Sequence, residues 1–447
     1  MTNELDSLIR KHQRPLPRYT SYPPVGKWNE ETNTNLWYQE ISDAAEDKGL
    51  DLYIHIPYCE KLCYYCGCNR TITKNRSQAD KYIECLIREF EIYEREVGKD
   101  LKINSLHFGG GTPNFLTDIQ LNRLLIYFTN KSFNQDLHIA LELDPRILSE
   151  SHINLFKKYS IKKVSFGIQD FNHDVQKAIN RIQPFSLVSN IVSDLRDKIP
   201  GIEINFDLIY GLPKQSLQSV RETIRSVMII NPDTIAYYSY AHLPQKLKNQ
   251  KLINSADLLH GIKKLELFIE GRNLLLEHDF ISLGLDHFAR KGSSLEKAKN
   301  KGNLKRNFMG HTSKKSDVTL GLGSSAISSG KSFYFQNFQD LNSYIDLTEK
   351  KELKYKSTHL LSSKDQRITD LIDTIMCQQK IENYSSFHTD LVANLEYLKT
   401  LEEDRLINIR DNQLSVTDKG LYFLRNLASC YDHYLGQNKE NKFSSSI

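Results

Sequence analysis

The sequence predicts an α/β fold built on a parallel sheet, either doubly wound or curled into a barrel. Two observations lead there. Short β-branched or apolar runs alternate with amphipathic helical stretches from about residue 50 to 290, and repeated strand-helix units of that kind pair their strands in parallel. Residues that carry chemistry also recur at the ends of those runs, the rim on which α/β folds assemble their sites.

Strands are expected over 52–56, 103–108, 139–143, 163–167, 203–209, 234–240 and 281–285. Helices are expected over 79–97, 118–130, 151–159, 174–180, 217–229 and 257–277. The second helix starts with a capping-box pair, Thr117 and Gln120, and sets Leu121, Leu124, Leu125 and Phe128 on one face.

The first strand runs into the densest chemistry of the chain. Cys59, Cys63, Cys66 and Cys68 are four of its seven cysteines. Thiolates at Cx3CxxC spacing on a short loop can converge on three irons of one [4Fe-4S] cube, leaving the fourth iron open. A structural zinc site would call for a second knuckle downstream, and none follows. A disulfide fits poorly too, because residues 1–10 have no apolar signal-peptide core, and the chain is expected in a reducing cytoplasm. Cys85, Cys377 and Cys430 sit at apolar helical positions, as buried inert thiols do.

Composition fits a large enzyme of two or three domains, with 447 residues, 39% hydrophobic and 26% charged. No apolar stretch approaches the roughly 20 residues needed to span a membrane. A net charge of +4 is too weak to argue for nucleic acid.

Further along the rim come Gly109-Gly110-Gly111-Thr112-Pro113, then Glu142 and Asp144, Gln169 and Asp170, Asp207, and Ala241-His242. Three glycines leave the main chain unshielded, so a ligand's amino or carboxylate group can approach it; taken alone, a tight strand-to-helix turn is the commoner cause of such a run. They are neither a phosphate loop nor a GxGxxG motif. Glu142 and Asp207 lie in otherwise apolar strands, where a ligand or a buried ion pair would each account for a charge.

Together these motifs resemble a known family. The cysteine loop after Tyr53-Ile-His-Ile-Pro and the Gly-Gly-Gly-Thr-Pro run resemble the radical S-adenosylmethionine (SAM) superfamily. The runs 17–23 (Pro-Arg-Tyr-Thr-Ser-Tyr-Pro), 143–146 (Leu-Asp-Pro-Arg), 165–171, 207–214, 240–244, 284–290 and 306–308 resemble, in order, its oxygen-independent coproporphyrinogen III oxidases, or coproporphyrinogen dehydrogenases.

The resemblance implies a partial (β/α)6 barrel followed by a small, mostly helical C-terminal domain. It carries Cys59, Cys63 and Cys66 over as cluster ligands, with SAM on the fourth iron, and Cys68 as family-typical without being a ligand. It implies two SAM molecules: Tyr53, Gly110, Glu142 and Ile327 match positions contacting the first, and Tyr65, Gly111, Thr112, Gln169, Arg181, Asp207 and Ala241 the second. Tyr53, Cys68, Glu142 and Phe308 match catalytic positions. The implied reaction turns two propionates of coproporphyrinogen III into the vinyls of protoporphyrinogen IX through a 5′-deoxyadenosyl radical, in porphyrin and heme biosynthesis. The implied partners are the tetrapyrrole and an electron donor such as flavodoxin or ferredoxin, with a monomer and neither nucleic acid nor membrane.

Four propionates call for cations. Residues 290–315 hold Arg290, Lys291, Lys297, Lys299, Lys301, Lys305, Arg306, Lys314 and Lys315 against one acid, Glu296. Arg290 and Arg306 are the expected carboxylate contacts, since the guanidinium fork suits bidentate pairing. Arg18 and Tyr22 are candidates to close the site. One departure stands out: the family often reads Arg-Asn-Phe-Gln-Gly-Tyr-Thr where this chain has Arg306-Asn307-Phe308-Met309-Gly310-His311-Thr312.

The expected division is an N-terminal arm (1–35), a catalytic domain (36–355), a C-terminal helical domain (356–435) and a flexible tail (436–447). In the third part Leu395, Leu398 and Leu401 lead to a hairpin turning at 410–412 and a helix from Asp418, a winged-helix-like order without a basic recognition helix. Two further readings are a heme chaperone of the same superfamily, whose members typically lack the fourth cysteine and the arm, and an anaerobic heme-degrading radical SAM methyltransferase.

Overall fold

The computed structural model describes residues 2–28, 34–133, 137–313, 316–385, 390–436 and 443–446. The chain forms two compact units. One comprises Asn29–Asp207 and Lys315–Leu361, the other Met1–Trp28, Leu208–Lys314 and Ser362–Ile447. Each unit gathers distant parts of the sequence, unlike the end-to-end division expected.

In the first unit the strands β1 (Leu50–Ile56), β2 (Ile103–Gly110), β3 (His138–Leu143), β4 (Lys163–Gln169) and the start of β5 (Glu203–Tyr210) follow one another across the sheet. β1 pairs in parallel with β2, β2 with β3, and β3 with β4, in a register that sets Tyr53 beside His107 and Ile56 beside Gly110. On its other side β1 pairs in parallel with Thr319–Leu322, and Ile327–Ser329, Phe333–Asn337 and Tyr355–Leu360 continue the sheet antiparallel. The parallel strands alternate a face carrying Tyr53, His107, Glu142 and Ser165 with a buried apolar face, where Ile54, Ile56, Phe108, Val164, Phe166 and Ile168 are fully buried. Each such side chain contributes about 1.5–3 kcal/mol.

Helices α1 (Gln78–Val97), α2 (Asp118–Thr129), α3 (Glu150–Lys158) and α4 (Phe185–Lys198) connect the strands. Both capping-box bonds of Thr117 and Gln120 form, and Ser149 with His152 builds a second box at α3. α4 is absent from the sequence-based expectation. Its buried residues Val188, Ile191, Val192 and Leu195 carry a helical period, interrupted in the sequence by Ser186, Ser189 and Ser193 on the other faces.

In the second unit β6 (Thr234–Ser239) pairs antiparallel with His287–Arg290, which pairs antiparallel with Phe280–Gly284. Helices α5 (Leu217–Ile230) and α6 (Gly261–Glu277) pack together. The C-terminal part has helix Leu395–Glu403 and the hairpin Ile407–Arg410 with Gln413–Val416, joined by Lys380–Ile381 as a third strand. The helix expected from Asp418 begins as a 3-10 turn, Gly420–Phe423, and becomes α-helical only over Leu424–Ser429.

The expected arm is part of this unit's core. Tyr19 donates to Asp432 at 3.0 Å, and Tyr22, fully buried, accepts the His433 N–H at 3.2 Å. Tyr22 thus holds structure together instead of closing a site. The expected flexible tail also differs where it is described: Leu16 N–H donates to Ser444 O at 3.1 Å, and Ser446 N–H to Arg14 O at 2.8 Å. Residues 437–442 and 447 of that tail lie outside the described residues. Among the described residues no helix is long and apolar enough to cross a membrane.

Candidate functional site

The cysteine loop is closed at its base by main-chain bonds. Tyr58–Cys59 pairs in parallel with Thr71–Ile72, and Thr73 N–H donates to Cys59 O at 3.0 Å. Farther out, Tyr64 N–H donates to Ile179 O at 3.0 Å, and Asn180 Nδ2 to Leu62 O at 2.8 Å. The glycine run docks on the same base: Gly111 N–H donates to Ile56 O at 2.8 Å and Thr112 N–H to Tyr58 O at 2.9 Å.

That docking explains why three residues lack a side chain. A Cβ on Gly111 would meet Tyr58 O at 2.6 Å, one on Gly110 would meet the His55 ring at 2.6 Å, and one on Gly109 would meet Glu142 Oε2 at 2.7 Å. Gly110 also has φ +111°, which L side chains rarely adopt. The tight-turn reading of the run therefore has a physical cause. The space belongs to Tyr58, His55 and Glu142, and the run fixes the cysteine loop and the Glu142 carboxylate in place.

Cys63 is buried, Cys59 and Cys66 are half-buried, and Cys68 is exposed. Two guanidiniums approach the Cys63 sulfur, Arg181 NH1 at 3.5 Å and Arg146 NH2 at 3.7 Å. Burial, and then the neighbouring thiols, push Cys59 up to about 12. The Cys68 thiol, hydrogen-bonded to Cys66, brings Cys66 down to about 6. Among the described residues no three His, Cys, Asp or Glu side chains converge on one metal position. The donor set still fits a thiolate-held cluster: three thiols on one loop tied down at its base, with two cations at the buried thiol to offset negative charge.

Tyr53 in the middle of β1, Gly110 at the end of β2 and Glu142 near the end of β3 line one site. Tyr53 OH donates to His55 Nδ1 at 3.1 Å, since His55 Nε2 donates to Asn69 O at 3.0 Å, and burial lowers the His55 pKa. The Tyr53 ring stacks on His107, whose Nε2 lies 2.9 Å from Glu142 Oε1. Gly110 N–H donates to Glu142 Oε2 at 3.3 Å. Burial raises the Glu142 pKa, but His107, Gly110 N–H and His55 outweigh it and hold the carboxyl below its ordinary range. Of the two readings left open for Glu142, a side-chain partner is present, the His107 ring.

Asp207 is different. Ser165 Oγ and Asn205 Nδ2 donate to it at 3.2 and 2.9 Å, yet burial, then the Glu142 charge, push it up to about 6. Gln169 ends β4 with φ +66° and is buried, and its Oε1 has no hydrogen-bond partner. A buried unpaired carbonyl is costly, and a ligand donor would satisfy it. Arg181, beside it, donates from Nε to Gly167 O at 2.9 Å. Tyr65 is half-buried next to this group, and burial lifts its phenol well above the usual range. Thr112 Oγ1 is committed internally, to Asn114 at 2.6 Å and Asp144 N–H at 3.0 Å. Ile327 opens the strand next to Thr319–Leu322.

Ala241 and Phe308 belong to the other unit. Ala241 O accepts from Gln250 at 3.1 Å, and Phe308 packs edge-on against Trp28 at 6.0 Å. Arg306, expected to contact carboxylates, is instead buried, with NH1 3.7 Å from Asp286 and 3.5 Å from His311 Nδ1. His311, where the family often has tyrosine, packs on His287 at 4.5 Å. Lys291 pairs with Asp279 at 3.0 Å, while Lys314 and Lys315 lie outside the described residues.

Sequence reading gave no site role to His55, His107 or Arg146, and set Asp144 on the rim without its partners. The signal that found Glu142, a polar residue in an apolar strand, also marks His55 and His107. Asp144 is tied to Arg146 at 2.6 Å and to Arg181 at 3.5 Å. Burial raises its pKa, but the two guanidiniums bring it down to about 2.

Comparison with known proteins agrees with this geometry. The radical SAM superfamily model matches residues 53–227. The oxygen-independent coproporphyrinogen III oxidases of Salmonella typhimurium and Escherichia coli are each 34% identical over 439 residues, covering 96% of this chain and 95% of theirs. That of Synechocystis is 33% identical over 454 residues, covering 98% of this chain and 97% of its own. The solved structure of the Escherichia coli coproporphyrinogen III oxidase, a radical SAM enzyme, superposes with a TM-score of 0.88 at 32% identity, covering 96% of this chain and 98% of that one. With its radical SAM α/β fold, the chain belongs to the oxygen-independent coproporphyrinogen III oxidase family.

Proposed function

We propose that this chain decarboxylates coproporphyrinogen III oxidatively and without oxygen, converting two propionates to the vinyls of protoporphyrinogen IX in porphyrin biosynthesis. The observation that carries the reading is the 34% identity to such oxidases over 96% of the chain. When bound, a [4Fe-4S] cluster and SAM supply a one-electron reductive cleavage and, through it, hydrogen abstraction from an unactivated carbon.

Cys59, Cys63 and Cys66 hold the cluster, and Arg146 and Arg181 offset its charge at Cys63. Tyr53, Gly110, Glu142 and Ile327 hold the first SAM. Glu142, kept ionised by His107, suits a cationic amino group. Tyr65, Gly111, Thr112, Gln169, Arg181, Asp207 and Ala241 hold the second, with the unpartnered Gln169 Oε1 as a ready acceptor. Cys68 and Phe308 take the remaining catalytic positions, the first with its thiol hydrogen-bonded to Cys66. The protein's own task is orientation and exclusion of water, because a misplacement of about 1 Å can cost on the order of 100-fold in rate.

The donor of electrons is a small one-electron carrier of the flavodoxin or ferredoxin kind, the enzyme acts in the cytoplasm as a single chain, and 356–435 serves as a packing or lid domain. The test is SAM consumption by the anaerobic, cluster-loaded enzyme. 5′-Deoxyadenosine and methionine should accumulate only when coproporphyrinogen III is present. Tight heme binding with no SAM cleavage would favour a chaperone and overturn the reading.

A further inference from the structure

Within the second unit, a cavity of about 250 Å³ is bounded by Arg18, Ser239, Tyr240 and Lys264. It presents two cations, and among the described residues no Asp or Glu lines it. Lys264 projects from α6, and its stem crosses Gly211, where a Cβ would come within 2.6 Å of the Lys264 Cε. Lys264 Nζ donates to Tyr240 O at 2.8 Å. Arg18 NH2 donates to Ser239 O at 2.9 Å, and its NH1 lies 4.0 Å from Asp286. An ammonium has three donors and a guanidinium five, so one main-chain carbonyl each leaves donors over on both.

Asp286, at the edge of the Arg18 contact, is their one nearby carboxylate among the described residues and is shared. Asp286 already holds His287 at 2.8 Å and Arg306 at 3.7 Å. Arg425, a third cation nearby, is taken up by the carbonyls of Leu16, Pro17, Ser444 and Ser445. Burial, then Arg18 and Arg425, bring Lys264 down to about 8. Like charges around a partly dry cavity are costly unless an anion enters. Leu243, Leu258 and Leu259 supply an apolar wall beside them, as a carboxylate on a short hydrocarbon arm requires.

We propose that Arg18 and Lys264 bind a propionate carboxylate of coproporphyrinogen III. The inference rests on the substrate reading above and places the propionate contact here instead of at Arg306. Two carboxylate sources share this chemistry, the tetrapyrrole propionates and the amino-acid end of SAM, and binding measurements separate them.

The probes are coproporphyrin III and its tetramethyl ester, titrated by fluorescence quenching into cluster-loaded enzyme, with SAM binding measured in parallel. Lys264→Met and Arg18→Gln should each weaken coproporphyrin III binding about tenfold, as expected when one charge-assisted bond is lost. Lys264→Arg should retain most of the affinity, and the ester should bind all variants alike. SAM affinity and iron content should stay at the wild-type level. Unchanged coproporphyrin III binding by both charge-removing variants overturns the proposal, and so does a loss confined to SAM. A wild-type enzyme that neither binds nor converts the tetrapyrrole would instead overturn the functional reading.

Discussion

Arg181 bridges a thiol and a carboxylate: its NH1 lies 3.5 Å from Cys63 Sγ and 3.5 Å from Asp144 Oδ2. Arg146 approaches the same sulfur at 3.7 Å while gripping Asp144 through Nε and NH2 at 2.9 and 2.6 Å. Two cations against one carboxylate favour added negative charge at Cys63. Removing one in Arg146→Gln should disfavour the reduced cluster. At a fixed potential the reduced-to-oxidised ratio should fall roughly tenfold, about 59 mV for a one-electron couple, in an EPR-monitored redox titration. A midpoint equal to that of the wild type would show that Arg146 is only structural.

The four cysteines should separate into three and one. Cys59→Ala, Cys63→Ala and Cys66→Ala should each lose the cluster and all turnover. Cys68→Ala should keep wild-type iron and sulfide after anaerobic reconstitution while losing turnover, because the Cx3CxxC spacing of Cys59, Cys63 and Cys66 already supplies three ligands. Iron loss in Cys68→Ala would make it a ligand.

Gly109→Ala tests whether the glycine run positions Glu142. The new Cβ would lie 2.7 Å from Glu142 Oε2, so the carboxylate must move off the Gly110 N–H. SAM affinity should drop about tenfold, the loss of roughly one charge-assisted bond, with iron content unchanged. Equilibrium dialysis with labelled SAM reads this. Wild-type affinity would mean that Glu142 is free to relocate without cost.

Behind β1, Glu89 is buried and accepts bonds from Gly323 N–H at 2.8 Å, Asn337 Nδ2 at 2.7 Å and Tyr344 OH at 2.8 Å. Burial nevertheless pushes it up to about 7 from 4.5, against those three bonds. A carboxyl raised on folding contributes stability that is complete below pH 4.5 and is lost as pH rises through 7. Relative to Glu89→Gln, the wild type should therefore lose up to about 3 kcal/mol of unfolding free energy between pH 4.5 and 7.5. Urea unfolding across that range measures it, and parallel pH profiles for the two proteins would refute it.

Much of this arrangement was legible in the chain because it depends on local patterns. Apolar runs located the strands to within about two residues, and Thr117 with Gln120 marked the start of α2. Glu142, Gln169 and Asp207 all fall in one unit with the cysteine loop. What escaped depends on tertiary contact. Arg306 sits in a basic stretch, yet folding buries it against Asp286. Tyr22 and Ser444 are far apart in sequence, yet both pack in the unit that contains Arg425. The glycines marked the right place, but no sequence signal says whose atoms fill the space of a missing Cβ.

The central claim is that the chain removes CO2 from two propionates of one tetrapyrrole. Anaerobic incubation of cluster-loaded enzyme with SAM, a one-electron reductant, an electron acceptor and carboxyl-labelled coproporphyrinogen III, followed by mass analysis, tests it most directly. The account predicts protoporphyrinogen IX and two CO2 per tetrapyrrole, through a product that has lost one. A methylated or ring-opened tetrapyrrole, or bound porphyrin with no CO2 released, would contradict it.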